Sequence, residues 1–254
     1  MTEQFKKETK EQRAARKRHL TERLQALRQR LLLIEKELDD YTSEFYRVCI
    51  FGSARIKPDD EIYRVTYELG KDLGELGIDV LTGGGPGLME AANRGVLDGK
   101  AHSGSKSKSF GITIELNRFE EASEHLDIKH HHKRFSSRLD DFMRLSNAIV
   151  VVRGGIGTLL ELFYSWQLLQ VSHMSERPIV LMDRKFWQGL IDWMKDQQAT
   201  NKLMNFEDFR WLHLVDEPEE ALDVIREHYE VFLKNREAAA EAVSKSLSAI
   251  KEDL

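Results

Sequence analysis

The sequence predicts an α/β protein: a parallel sheet with helices on both faces, preceded by a coiled-coil helix. Three observations lead there. From Phe45 onward, short apolar β-prone runs alternate with helical stretches. Glycine clusters fall where those runs give way to helices. Residues 1–44 contain no glycine or proline and are dense in Lys, Arg, Glu and Gln, which suits one long helix. The segments are therefore a helical coiled-coil extension over 1–44, a sheet-bearing domain over 45–235 and a polar helical tail over 236–254.

Within the first segment, Leu20, Leu24, Leu27, Leu31, Ile34, Leu38 and Tyr41 alternate spacings of four and three, an a/d seam of about three heptads. Such a seam needs a partner, either a second copy of the helix or the body of the same chain. The first makes the protein a homodimer or a higher homo-oligomer. Ahead of the seam, Lys6, Lys7, Lys10, Arg13, Arg16, Lys17 and Arg18 outnumber the acidic residues, and a solvated helix end explains them without an RNA- or lipid-binding role. From Tyr46 to Phe51 the chain is apolar and β-prone; Ile62–Leu76 is helical in spacing; Ile78–Leu81 is a short apolar run; Gly87–Leu97 is helical again. Further strands are expected at Phe110–Ile114, Ala148–Val152, Ile179–Met182 and Leu212–Val215, with a helix over 219–253. Apolar strands of this kind are buried on both faces.

Composition narrows the function. The 254 residues suffice for a proper core, and a net charge of −5 over 38 basic and 43 acidic residues argues against a general nucleic-acid binder. A single cysteine, Cys49, excludes a disulfide framework and suits a reducing compartment. The charged N-terminus lacks a secretory pattern, and no apolar run approaches membrane-spanning length, so a cytoplasmic protein without membrane partners is expected.

Three strand-to-helix loops carry the candidate chemistry. The first is Gly52-Ser53-Ala54-Arg55, a small residue, a hydroxyl and a cation together. The second, Gly83-Gly84-Gly85-Pro86-Gly87-Leu88-Met89-Glu90, holds four glycines in five positions, more than a turn requires. The third is Arg153-Gly154-Gly155-Ile156-Gly157-Thr158-Leu159-Leu160-Glu161. Its glycines let the backbone approach an anion, and the free N–H groups of a helix starting at Thr158 point at that anion, so a phosphorylated small molecule is implied. Thr158 and Glu161 also fit a capping box, which explains both residues without a ligand. Neither glycine cluster matches the dinucleotide fingerprint or a P-loop, and neither contains a lysine for pyridoxal chemistry. No cofactor and no metal is expected.

Taken together, Gly52-Ser53-x-Arg55, Gly83-Gly84-Gly85-Pro86-Gly87-Leu88-Met89-Glu90-Ala91-Ala92-Asn93 and Gly154-Gly155-x-Gly157-Thr158-x-x-Glu161 resemble the LOG family of nucleoside 5′-monophosphate phosphoribohydrolases, long labelled lysine decarboxylases. The resemblance covers about residues 46–235, with Gly111-Ile112-Thr113-Ile114-Glu115 similar to a further strand of the family. It implies a Rossmann-like nucleotide-binding domain that cleaves the N-glycosidic bond of an AMP-like or cytokinin-like monophosphate to free base and ribose 5-phosphate. It also implies that Gly154, Gly155, Gly157 and Thr158 hold phosphate and that Glu161 is catalytic. The family's second catalytic residue, an Arg fifteen positions before the motif's Pro, falls on Arg138. Gly52, Ser53, Arg55, Gly84, Gly85, Gly87, Met89 and Glu90 complete the implied binding set. Arg153 stands where the family has Pro, a change that can add a phosphate-facing cation, and Leu139 stands where a Lys follows the catalytic Arg. A nucleotide-binding or sensing module using the same loop is the second reading.

Elsewhere, His130, His131 and His132 form a basic patch before the Arg138 helix, and adjacent histidines diverge too much for a shared metal. The loop from Ser103 to Ser109 is basic and suited to closing over an anion, though a simple exposed loop is the better account. Phe163, Tyr164 and Trp166 are expected in core or dimer packing.

Overall fold

The computed structural model describes residues 10–42, 45–114 and 123–252, with side chains described except at 11, 31–42 and 239–252. Two compact units are present, residues 1–44 and residues 45–254. In the first, helix α1 spans Lys10–Thr42. Leu20, Leu24 and Leu27 of the expected seam are exposed on it, and the remaining seam side chains lie outside those described.

The second unit alternates strands and helices: β1 Arg47–Phe51, α2 Glu61–Glu75, β2 Asp79–Thr82, α3 Leu88–Ser103, β3 Ser109–Ile114, β4 Ile128–His132, α4 Phe135–Leu145, β5 Ala148–Val151, α5 Ile156–Gln170, β6 Ile179–Met182, α6 Arg184–Trp193, β7 Leu212–Val215 and α7 Pro218–Glu252. A π-helical segment at Met194–Ala199 extends α6, and a 3-10 helix at Phe206–Trp211 leads into β7. α7 runs through position 235 without a break. All strand pairs are parallel, in the order β4-β3-β2-β1-β5-β6-β7. The sequence expectation lacked one strand, β4, whose Ile-Lys-His-His-His is polar because it forms an edge of the sheet.

Each central strand divides its residues between two cores, as period-two side-chain alternation requires. Val48 and Ile50 of β1 pack with α2, α3 and α7 residues such as Leu69, Val96 and Leu222. Cys49 and Phe51 face the other way, onto Phe142, Leu162 and Trp187 of α4, α5 and α6. The chain leaves β1 toward β4 on one side and returns to β5 on the other, so the order reverses between β1 and β5. A crevice opens at the carboxyl ends of strands flanking such a reversal.

Candidate functional site

Backbone hydrogen bonds join the three glycine loops at that crevice. Ser53 after β1 donates its N–H to the carbonyl of Arg153 after β5 at 3.0 Å, and its own carbonyl accepts from Leu88 N–H at the start of α3, also at 3.0 Å. Gly87 has φ +69°, and a Cβ there would lie 2.5 Å from the Ser53 carbonyl oxygen, so the contact needs glycine. Gly84 is likewise left-handed, at φ +68°. Its N–H donates to Thr82 Oγ1 at 3.0 Å, and Thr82 Oγ1 donates to Asn93 Oδ1 at 2.7 Å. Asn93, fully buried, donates in turn to Ser109 Oγ at 2.8 Å. This chain of buried bonds fixes the second loop; Asn93 stands in the motif run, but no spacing rule marks it as a support.

The third loop differs from expectation at the helix start. α5 begins at Ile156, with Gly155 as N-cap and no side-chain cap bond. Thr158 therefore sits in the first turn, 5% exposed with its hydroxyl against Gly154, and the capping box of Thr158 and Glu161 is not formed. The cause is the pair Gly155-Ile156, whose backbone enters the helix two residues early. Leu159 N–H reaches Gly155 O at 3.0 Å, while Ile156, Gly157 and Thr158 belong to the first turn, whose N–H groups have no intrahelical acceptor. A Cβ at Gly155 or Gly157 would meet nothing within 4 Å, so the glycine faces of this turn are open.

Freed from the cap, Glu161 points to Arg138 of α4: Arg138 Nη1 and Glu161 Oε1 are 3.4 Å apart, each side chain 13% exposed. Arg138 Nε donates to Ile112 O of β3 at 2.7 Å, and the guanidinium lies over Phe142, 5.0 Å from the ring centre. Gly83 abuts the same guanidinium, which brings the second loop onto the pair. Burial pushes the Glu161 carboxyl up to about 7, and the Arg138 charge only partly offsets it. Cys49 lies underneath: burial raises its thiol well above the usual range, with Glu161 adding to the rise and Arg138 opposing it.

The other expected residues divide. Gly52 packs on Leu88, Gly85 is half-buried in its loop, and Met89 places its sulfur beside Gly83. Glu90 lies in the first turn of α3 and raises the Tyr63 hydroxyl beyond the rise that burial causes. Arg55 is exposed, its N–H turned back to Ser53 Oγ at 3.1 Å. Arg153 does not offer a free cation: its Nε pairs with Asp183, the buried residue that ends β6 and caps α6. Leu139 is buried in α4. The Ser103–Ser109 loop enters β3 at its amino end, opposite the crevice, and Ser105 and Ser107 bond Gly74 O, so it does not close over the site. His130 and His132 share one face of β4 and both approach Asp141 of α4, at 3.7 and 3.0 Å. Among the described residues no cluster of three or more His, Cys, Asp or Glu is arranged to hold a metal. Glu115 lies outside the described residues.

A crevice with first-turn helix donors, two glycine-walled loops and a carboxylate–guanidinium pair suits a phosphorylated ligand whose reaction develops charge. A family model described as possible lysine decarboxylase matches residues 89–225. The pyrimidine/purine nucleotide 5′-monophosphate nucleosidase of Escherichia coli (strain K12) is 24% identical over 217 residues, 81% of this chain and 42% of that protein. A probable cytokinin riboside 5′-monophosphate phosphoribohydrolase of Oryza sativa subsp. japonica is 31% identical over 144 residues, 56% of this chain and 55% of that protein. These alignments thus take in about half the length of either relative. Among solved structures, the molybdenum cofactor binding protein of Rippkaea orientalis superposes with a TM-score of 0.54 at 19% identity, over 72% of this chain and 96% of that one, a likeness of fold.

Proposed function

Because this chain belongs to the LOG family, the family described as possible lysine decarboxylase, we propose that it hydrolyses the N-glycosidic bond of a nucleoside 5′-monophosphate. The products are the free base and ribose 5-phosphate. The observation that carries this reading is the buried Arg138–Glu161 pair set beside the glycine loops at the β1/β5 crevice.

The chemistry follows from the bond that breaks. As the base departs with the C1′–N electron pair, positive charge develops on C1′ and the ring oxygen; water then delivers its hydroxyl to C1′ and its proton ends on the base nitrogen. In the proposed arrangement the Glu161 carboxylate stabilises that charge or takes the proton of the incoming water. Arg138, held at its Nε by Ile112 O and paired with Glu161, brings a guanidinium whose charge suits ribose or phosphate. The phosphate sits on the first-turn donors of Ile156, Gly157 and Thr158. Names borne by the relatives support a nucleotide monophosphate substrate of AMP-like or cytokinin-like type. No lysine stands in either glycine-rich loop, so the decarboxylase label finds no amine there. Ile156 and Leu160 are exposed at 83% and 47% on α5 beside the cradle, an apolar face that supports a homo-oligomer.

The test is incubation with a panel of nucleoside 5′-monophosphates and chromatography for free base and ribose 5-phosphate, with Glu161→Gln alongside. Base release by the wild type, lost in the variant, is the expected result. Binding of a monophosphate without cleavage would leave the sensing module as the reading to keep.

A further inference from the structure

We propose that Asp183 is a positioning residue for the phosphate cradle, acting through Arg153. The proposal rests on reading residues 154–158 as that cradle. Arg153 is the joint of the site: its carbonyl accepts Ser53 N–H at 3.0 Å, which ties the third loop to the first, and the cradle glycines follow it directly. A residue in that place needs a fixed backbone. Arginine has no ring to supply the restraint, and its neighbours Gly154 and Gly155 supply none.

The restraint comes from the next strand. Arg153 Nε pairs with the Asp183 carboxylate, and Asp183 is itself held three ways. Its N–H donates to Val215 O of β7 at 2.9 Å, its Oδ1 accepts Phe186 N–H at 3.2 Å as the N-cap of α6, and it is 8% exposed. It also adopts φ +84°, a left-handed conformation rare for a residue with a Cβ. That backbone sets the carboxylate at the carboxyl end of β6, level with the loop after β5. Because one oxygen serves the helix and the other the guanidinium, a single side chain couples the α6 terminus to the anion loop. Arg153 is 41% exposed and Asp183 9%, so the acidic partner is the anchored one.

Asparagine isolates the role. It caps helices as well as aspartate and tolerates left-handed backbone, so Asp183→Asn removes the charge and keeps the fold. The experiment compares Asp183→Asn, Arg153→Gln and the double variant for KM and kcat on a monophosphate cleaved by the wild type. In parallel, ribose 5-phosphate is titrated against the melting midpoint of each protein. The expected result is a KM raised about five-fold in each single variant, the effect of one partly exposed ion pair, with kcat within about two-fold. The double variant should be no worse than the poorer single, since both remove the same link. Ribose 5-phosphate protection should weaken in the same order. An unchanged KM in Asp183→Asn, additive losses in the double variant, or a fall in kcat alone would overturn the proposal. If the wild type cleaves nothing but is protected by ribose 5-phosphate, the enzymatic reading fails while the titration still decides the role of Asp183. If ribose 5-phosphate protects no form of the protein, there is no cradle to position and this proposal fails.

Discussion

At Glu161 the protein keeps a carboxyl whose affinity for its proton is raised to about 7, chiefly by burial. The folded state holds that proton where the unfolded chain, with a value of 4.5, has released it. This group's contribution to stability is therefore fully present below pH 4.5 and is lost as pH rises through about 7. Activity should run the other way. If the carboxylate is the working form, kcat/KM climbs with pH and levels off above about 7, and a pH–rate profile that falls through the same window would assign Glu161 the acid's role instead. Glu161→Gln removes the charge without a large change of shape, so turnover should drop by about a thousand-fold or more. Its melting midpoint at pH 8 should be equal to or above that of the wild type, as differential scanning calorimetry at pH 5 and pH 8 can establish. Glu161 and Arg138 were singled out only by the family resemblance, since the residues alone suggest a helix cap for the one and a surface arginine for the other. The partner of Arg153 was not legible in the sequence: Asp183 lies 30 positions away, and only the pairing of β5 with β6 brings it near.

The helix after β5 is shaped by its glycines as much as by its side chains. A methyl group at Gly157 meets nothing within 4 Å, and alanine in a first helical turn loses less backbone entropy. Gly157→Ala is therefore expected to stabilise the fold by roughly 0.5–1 kcal/mol and yet to raise KM, because the methyl adds bulk to the turn proposed to hold the phosphate. A thermal melt paired with steady-state kinetics checks both signs. Gly87→Ala should do the opposite to stability: its φ of +69° and the nearby Ser53 carbonyl predict a loss of about 1–3 kcal/mol, visible in chemical denaturation. Most strands could be read from their apolar runs because a parallel sheet buries both faces. β4 could not, since Lys129 and three histidines carry no apolar period and the strand exists by pairing with β3. The start of α5 departs from the sequence expectation for a related reason: Thr158-x-x-Glu161 satisfies a local capping rule, while the strand-to-helix geometry begins the helix at Ile156.

For the molecule as a whole, a sheet order that reverses between β1 and β5 gathers Gly52, Gly84, Gly87, Arg138, Gly154 and Glu161 at one rim. Every residue of the candidate site belongs to the unit that begins at Phe45. A chain starting at Phe45 is thus expected to fold and to keep the activity proposed for the 254-residue chain. Light scattering of the two forms would then assign α1 its part in assembly, a lower mass for the shorter chain being the outcome that the exposed Leu20, Leu24 and Leu27 predict. Cys49, the chain's sole cysteine, lies fully buried on the central strand with Glu161 and Arg138 within electrostatic reach. A thiol reagent can touch it only when the sheet itself opens, so native-state labelling clocks global unfolding at a single atom beneath the site. Any ligand that binds the folded crevice must slow that clock in proportion to its occupancy, which gives the protein an intrinsic binding gauge that needs neither turnover nor an attached probe.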